Sequence, residues 1–307
     1  MGYNGIEPIP TEDPPMKIAF SNLACPNWSM SELAANASSL GALGVDLRSF
    51  AAGDGPALAS NPMRMDPAEL HRIFAQAGVV PMCLSTGVRF DKPIFPPVIG
   101  RVFFNNVEEG VEETKQFVEY AAKAGVPFVR VTGYQLPAGE PRMWGLRRIR
   151  ERLALAAQTA RNTNVRVVIE NGGTYAHAED LLELVESIGL PWLRISYNTL
   201  TAVQNGECPV EGIKLLRDHL AIVKVGNTKG DAHTLLGEGE YPMQQAFAAM
   251  NEIGFDGWAV YKYPKLWCDE LSDDPMSVLS SAIDTMYEWA GTQNECSHSC
   301  GCETAKS

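Results

Sequence analysis

The strongest constraint in this chain is its repeated alternation of short β-rich runs with helical patterns. Eight such runs follow one another: KIAFSNLA from Lys17, VDLRSF from Val45, VPMCLSTGV from Val80, PFVRVTG from Pro127, VRVVIENG from Val165, LRISYNTL from Leu193, AIVKVGNT from Ala221 and WAVYKYP from Trp258. Between them lie amphipathic stretches with punctuated ends. SMSELAANASSLGALG has Ser29 or Ser31 as an N-cap and Gly44 at its end, and DPAELHRIFAQAGV opens with Asp66 and Pro67. VEETKQFVEYAAKAGV, a segment over roughly residues 144–162, AEDLLELVESIG, PVEGIKLLRDHL, MQQAFAAMNEIG and a last helix near 275–291 complete the pattern. Eight βα units within one chain predict a single (β/α)8 barrel, an α/β fold, over residues 16–291. A doubly wound open sheet is the competitor, but SNLACPNW after the first strand is not the Gly-rich phosphate loop such folds carry there.

Residues 1–15, rich in Pro, Glu and Gly, read as an extended leader, and 292–307 as a polar Cys-rich tail. Cys296, Cys300 and Cys302 crowd there with His298, so a metal-binding tail and a mobile terminus both remain open. Cys25, Cys83, Cys208 and Cys268 are scattered singly, as in a reducing cytoplasm, and no secretory signal precedes Met16. No apolar run approaches a membrane span. The net charge of −12 argues against broad nucleic-acid binding, which needs clustered cations. A small-molecule ligand is the expected partner, and a homo-oligomer is compatible with the sequence.

Function in such barrels sits at the C-terminal ends of the strands. The polar residues there are Asn22, Arg48, Ser85, Arg130, Glu170, Asn171, Asn198, Lys224, Asn227, Lys262 and Lys265. Glu170 ends a run of β-branched residues, where a buried carboxylate must be paired, protonated or ligating. Lys224 lies between valines, and strand alternation points it either into the barrel mouth or toward the helix layer. Two lysines at equivalent depth on neighbouring strands, with a glutamate nearby, mark a functional cluster more than two snorkelling surface residues. Arg130 could pair with Glu170 or bind a ligand. Trp28, Phe50 and Trp267 stand near loops over the mouth, where aromatic walls pack against sugar faces. His177 and His233 have no evident partner.

KIAFSNLACPNWSMSEL, VVIENGGTYAHAEDLLELVESIG, YNTLTAVQNGECPVEGIKLL, LLGEGEYPMQQAFAAMNEIGFDGW and KYPKLWCDEL together resemble the xylose-isomerase-like TIM barrels. This superfamily includes sugar-phosphate isomerases and epimerases, a dehydratase and an endonuclease. The resemblance covers Met16 to about Ala290. In its sugar-isomerising members, one divalent metal is held by a Glu, an Asp, a His and a Glu ending strands five to eight. The resemblance places these ligands at Glu170, Asn198, Lys224 and Lys262, with Thr201 where a further His usually follows. Only the first is retained, and Lys224-Val225-Gly226-Asn227 replaces His-x-Lys-Asp. Lys265 and Trp267 match the pattern that follows the last ligand.

An ammonium has three donors and no acceptor, so it cannot ligate while protonated. The expected site therefore holds no metal and no other cofactor, and the lysines inherit its electrostatic role. Glu170, Lys224 and Lys262 are the candidate catalytic residues. Asn198, Asn227, Arg130, Trp28, Lys265 and Trp267 are the candidate substrate-binding residues. The expected chemistry is metal-independent isomerisation or epimerisation, with dehydration or carbon–carbon cleavage as variants, on a small polyol, keto sugar or keto acid. A non-catalytic sugar-acid or sugar-phosphate binding protein and an inactive scaffold barrel are the alternatives.

Overall fold

A computed structural model describes residues 16–51, 55–91, 109–132, 136 and 139–291; the leader and the Cys-rich tail lie outside them. Ten strands are numbered in chain order: β1 Lys17–Ser21, β2 Gly44–Arg48, β3 Val80–Ser85, β4 Phe128–Val131, β5 Arg166–Glu170, β6 Leu193–Asn198, β7 Leu220–Val225, β8 Asn227–Lys229, β9 Ala232–Thr234 and β10 Trp258–Tyr261. Eight of them close into a parallel barrel in the order β1-β10-β7-β6-β5-β4-β3-β2. The eighth sequence run is thus β10, because β8 and β9 form a separate antiparallel hairpin above the end of β7.

Both faces of a parallel barrel are covered, so its strands are mostly apolar and the outer face packs on helices. Local chemistry starts these helices where expected. Ser29 caps Met30–Ser39 by a capping box, its backbone N–H donating to Glu32 Oε2 at 2.8 Å. Asp66 caps Pro67–Ala77, which ends at Gly78 with φ 69°. The helix expected near 144–162 spans Arg142–Gln158, and a short helix, Thr199–Gln204, follows β6 directly.

Gly44 does not end the first helix, which stops at Leu40; it opens β2. A Cβ there would lie 2.5 Å from the Trp258 ring, which fills the lower barrel interior. The glycine is required by the barrel core and not by the helix terminus. With Trp258, the side chains of Ala19, Met82, Val168, Ile222 and Val260 make that apolar interior layer. Alternation along the same strands then turns the next inward positions polar. They are Ser21, Asp46, Arg48, Ser85, Arg130, Glu170, Ser196, Asn198 and Lys224, with Lys262 just beyond β10.

Candidate active site

Lys224 is the centre of this polar layer. Its side chain is buried, and its Nζ lies 2.9 Å from Asp46 Oδ2, 3.0 Å from Glu170 Oε2 and 3.0 Å from Ser85 Oγ. Three partners match the three donors of an ammonium, leaving none for a ligand. Ser85 in turn donates to Asp46, closing a tight ring of groups. Burial alone would lower the lysine pKa, but the Asp46 and Glu170 carboxylates outweigh it and hold the pKa above its ordinary value.

Glu170 has further neighbours. Arg130 Nε lies 3.4 Å from Oε2, Asn198 Nδ2 donates to Oε1 at 3.4 Å and Ser196 Oγ to Oε2 at 3.5 Å. Burial opposes its ionisation, yet Arg130, Lys224 and Lys262 together hold its pKa well below the usual carboxylate range. It is therefore a poor proton acceptor at neutral pH.

Lys262 differs from Lys224 in kind. Its backbone N–H donates to the Val225 carbonyl at 2.8 Å, continuing the β7–β10 ladder past Tyr261. Its side chain is half-buried and makes no hydrogen bond or ion pair within 4 Å among the described residues. Burial lowers its pKa from the ordinary 10.5; Glu170 opposes this, and Lys224 and Arg130 add to it. Its neutral form is thus more accessible than that of a free lysine.

The remaining expected residues separate into two groups. Arg130 is buried beside Glu170, and its guanidinium makes no hydrogen bond among the described residues. Asn198 joins the cluster while its Oδ1 caps the helix Thr199–Gln204 by accepting from Thr201 N–H at 3.2 Å. Asn227, by contrast, binds the backbone of Tyr241 through both side-chain atoms, at 3.1 and 3.4 Å. Lys265 donates to the Asp273 carbonyl. Trp28 packs half-buried on the core. Trp267, 51% exposed, meets Phe50 edge-on at 5.9 Å, and that ring lies 4.7 Å from the Arg48 guanidinium. His233 is on β9; burial and the nearby Lys262 lower its pKa, opposed by Glu270.

Asp46 is the partner that sequence reading missed. The signal was present, because an aspartate between Val45 and Leu47 in a two-sided buried strand must be satisfied inside the barrel. Two cavities of about 380 and 390 Å³ lie away from the cluster. One is at the opposite barrel end by Asn162, Arg166 and Trp192, and the other is beside the hairpin by His233, Tyr263 and Asp273. Neither gathers the charged, inward-facing groups of the mouth.

A parallel barrel with a charged cluster at its C-terminal mouth is an enzyme-type scaffold. The family model for xylose isomerase-like TIM barrels matches residues 34–288, so the chain belongs to that family. No curated protein sequence matches it. Among solved structures, it is similar to an L-ribulose 3-epimerase (17% identity, TM-score 0.73, covering 90% of this chain and 94% of that one). It is also similar to an IOLI protein with a bound zinc atom (15%, TM-score 0.74, 90% and 98%). A third is the probable 3-DHS dehydratase AsbF of Bacillus anthracis (13%, TM-score 0.70, 89% and 99%).

The residues at the family's metal position do not fit a divalent ion. Glu170 is the one carboxylate of the four, and the Lys224 ammonium is already bound to it. Among the described residues, no three His, Cys, Asp or Glu side chains converge as a ligand set.

Proposed function

We propose that this barrel is a metal-independent isomerase-type enzyme acting on a small polyhydroxylated carbonyl compound, with Lys262 as its proton-transfer residue. The observation that carries this reading is the Lys262 amine, unpaired among the described residues, beside a fully paired Lys224. Neutral Lys262 removes a proton from the carbon next to the carbonyl and becomes an ammonium. The electron pair moves into the carbonyl, and the Arg130 guanidinium offsets the negative charge that the oxygen gains. Return of that proton to the adjacent carbon, with the hydroxyl proton passing between the two enediolate oxygens, completes a ketose–aldose exchange. Glu170 is held ionised by its cations and Lys224 has no free donor, so both serve to position the reacting groups. A single competent base favours one-sided proton shuttling over two-base epimerisation. The similarity to epimerases and a dehydratase supports the reaction class as a scaffold likeness.

The test is deuterium incorporation, followed by NMR in D2O, across a panel of keto sugars, aldoses and keto acids. Lys262→Met should abolish any incorporation seen with wild-type protein. Absence of incorporation throughout the panel, together with no borohydride-trapped adduct, would overturn the reading. Ligand binding without incorporation would instead identify a non-catalytic binding protein.

A further inference from the structure

Among the described residues, the mouth contains more positive charge than its carboxylates neutralise, even with Lys262 neutral. Arg48, Arg130, Lys224 and Lys262 face Asp46 and Glu170, in a chain whose net charge is −12. Lys224 is consumed by the two carboxylates and Ser85. Arg48 and Arg130 occupy equivalent positions either side of Ser85 on three successive strands, since Arg48 pairs with Ser85 and Ser85 with Arg130. Their Cα atoms are thus roughly two strand spacings, about 10 Å, apart.

Both guanidiniums keep unused donors. Arg130 is 7% exposed; its Nε faces Glu170 Oε2 at 3.4 Å as an ion pair, and among the described residues its guanidinium makes no hydrogen bond. Arg48 spends Nη1 on the Ser85 and Thr86 carbonyls, at 3.1 and 2.7 Å, while its buried Nε has no hydrogen-bond partner among the described residues. The Phe50 ring covers the Arg48 plane. Burial and the neighbouring Arg130 push the Arg48 pKa down to about 10, and Asp46 and Glu170 oppose the shift only in part. Buried donors of this kind usually find a partner in water, an ion or a ligand; Arg148 and Arg194 also bury an Nε without a hydrogen bond, but outside the mouth.

We infer that the substrate carries a carboxylate, seated between Arg48 and Arg130, with its carbonyl-bearing carbons directed toward Lys262. This deepens the proposed function and rests on the strand ends being its site. A guanidinium fork binds a carboxylate through paired N–H donors, and two forks with orphaned donors select an acid over a neutral sugar. A phosphate is the less suited anion. Barrels that bind phosphate use the loops after the last two strands and a helix N-terminus, whereas here β7 leads into the Asn227–Thr234 hairpin.

The test compares ligands differing at one carbon: 2-keto-D-gluconate, D-fructose and D-fructose 1-phosphate, with a wider series of 2-keto acids of three to six carbons. Binding is measured by calorimetry on the full chain. The expected result is binding of at least one 2-keto acid roughly tenfold or more tighter than its neutral and phosphorylated counterparts. Arg48→Met and Arg130→Met should each weaken it by a similar factor, with Arg130→Lys recovering part. Unchanged melting and circular dichroism of Arg48→Met and Arg130→Lys keep the comparison valid if Arg130→Met does not fold. Binding of no 2-keto acid, or equal or tighter binding of the neutral sugar or the phosphate ester, would overturn the inference. Carboxylate binding that depends on the arginines without deuterium exchange would sink the catalytic reading alone. Exchange on neutral sugars with no carboxylate binding would do the reverse.

Discussion

Lys224 lies on β7 and Lys262 just past the end of the neighbouring β10, Val260 pairing with Lys224, yet among the described residues one is bound to two carboxylates and the other to none. The same residue type is therefore driven in opposite directions: pKa raised at Lys224, lowered at Lys262. The first is a structural cation, and the second is the amine proposed to carry the proton.

Lys224→Met should be strongly destabilising, because it leaves Asp46 and Glu170 buried without their shared cation. Removing one member of a buried pair costs about 3–5 kcal/mol. Chemical denaturation would measure it. Combining Lys224→Met with Asp46→Asn should recover part of the loss, since the coupled groups are not additive. A loss below about 1 kcal/mol would contradict the ion network.

Lys262→Met should leave stability unchanged or raise it near neutral pH while abolishing turnover. The folded pKa lies below the unfolded one, so the folded state disfavours the ammonium and the methionine removes that cost. Turnover by wild-type protein should rise with pH through a midpoint below 10.5, as the amine becomes free. A pH–rate profile without that ascending limb would count against Lys262 as the base.

Acid should unfold the protein through Glu170. Its pKa is depressed in the folded state, so its stabilising contribution is present above the ordinary 4.5 and is lost as pH falls below that value. Glu170→Gln should lower stability at pH 7 and flatten the acid limb of a melting-temperature profile. An unaltered acid limb in the variant would assign acid unfolding to other groups.

Chelation provides a separate check on the proposed metal independence. Treatment with EDTA followed by gel filtration should change neither the melting temperature nor turnover, and elemental analysis of the mouth-intact protein should show substoichiometric Mn, Zn and Mg. Loss of activity that returns with one of these ions would defeat the proposal.

Gly44→Ala should destabilise by about 1–3 kcal/mol through overpacking against Trp258. The clash is with the ring and, at 3.0 Å, with the Val80 carbonyl, so a side-chain shift alone does not relieve it. A Trp258→Phe background should soften the effect, as read by thermal denaturation.

The barrel was legible in the sequence because each βα unit announces itself locally: periodicity, caps such as Ser29 and Asp66, and glycines such as Gly78 act within a few residues. Matching of strand ends also located Glu170, Lys224 and Lys262 at one rim. The sequence alone could not distinguish the two lysines, because their difference lies in contacts spanning the barrel. Lys224 meets Asp46 and Ser85 across sequence separations of more than a hundred residues, and those partners are set by strand order and register. Asn227 and Lys265 share the strand-end position of the cluster residues, yet both bind local backbone, since side-chain direction depends on how the loops fold back. Local chemistry determined the elements and their order; only closure of the barrel decided which charges were paired and which amine was left free, because ion pairing falls steeply with distance and burial.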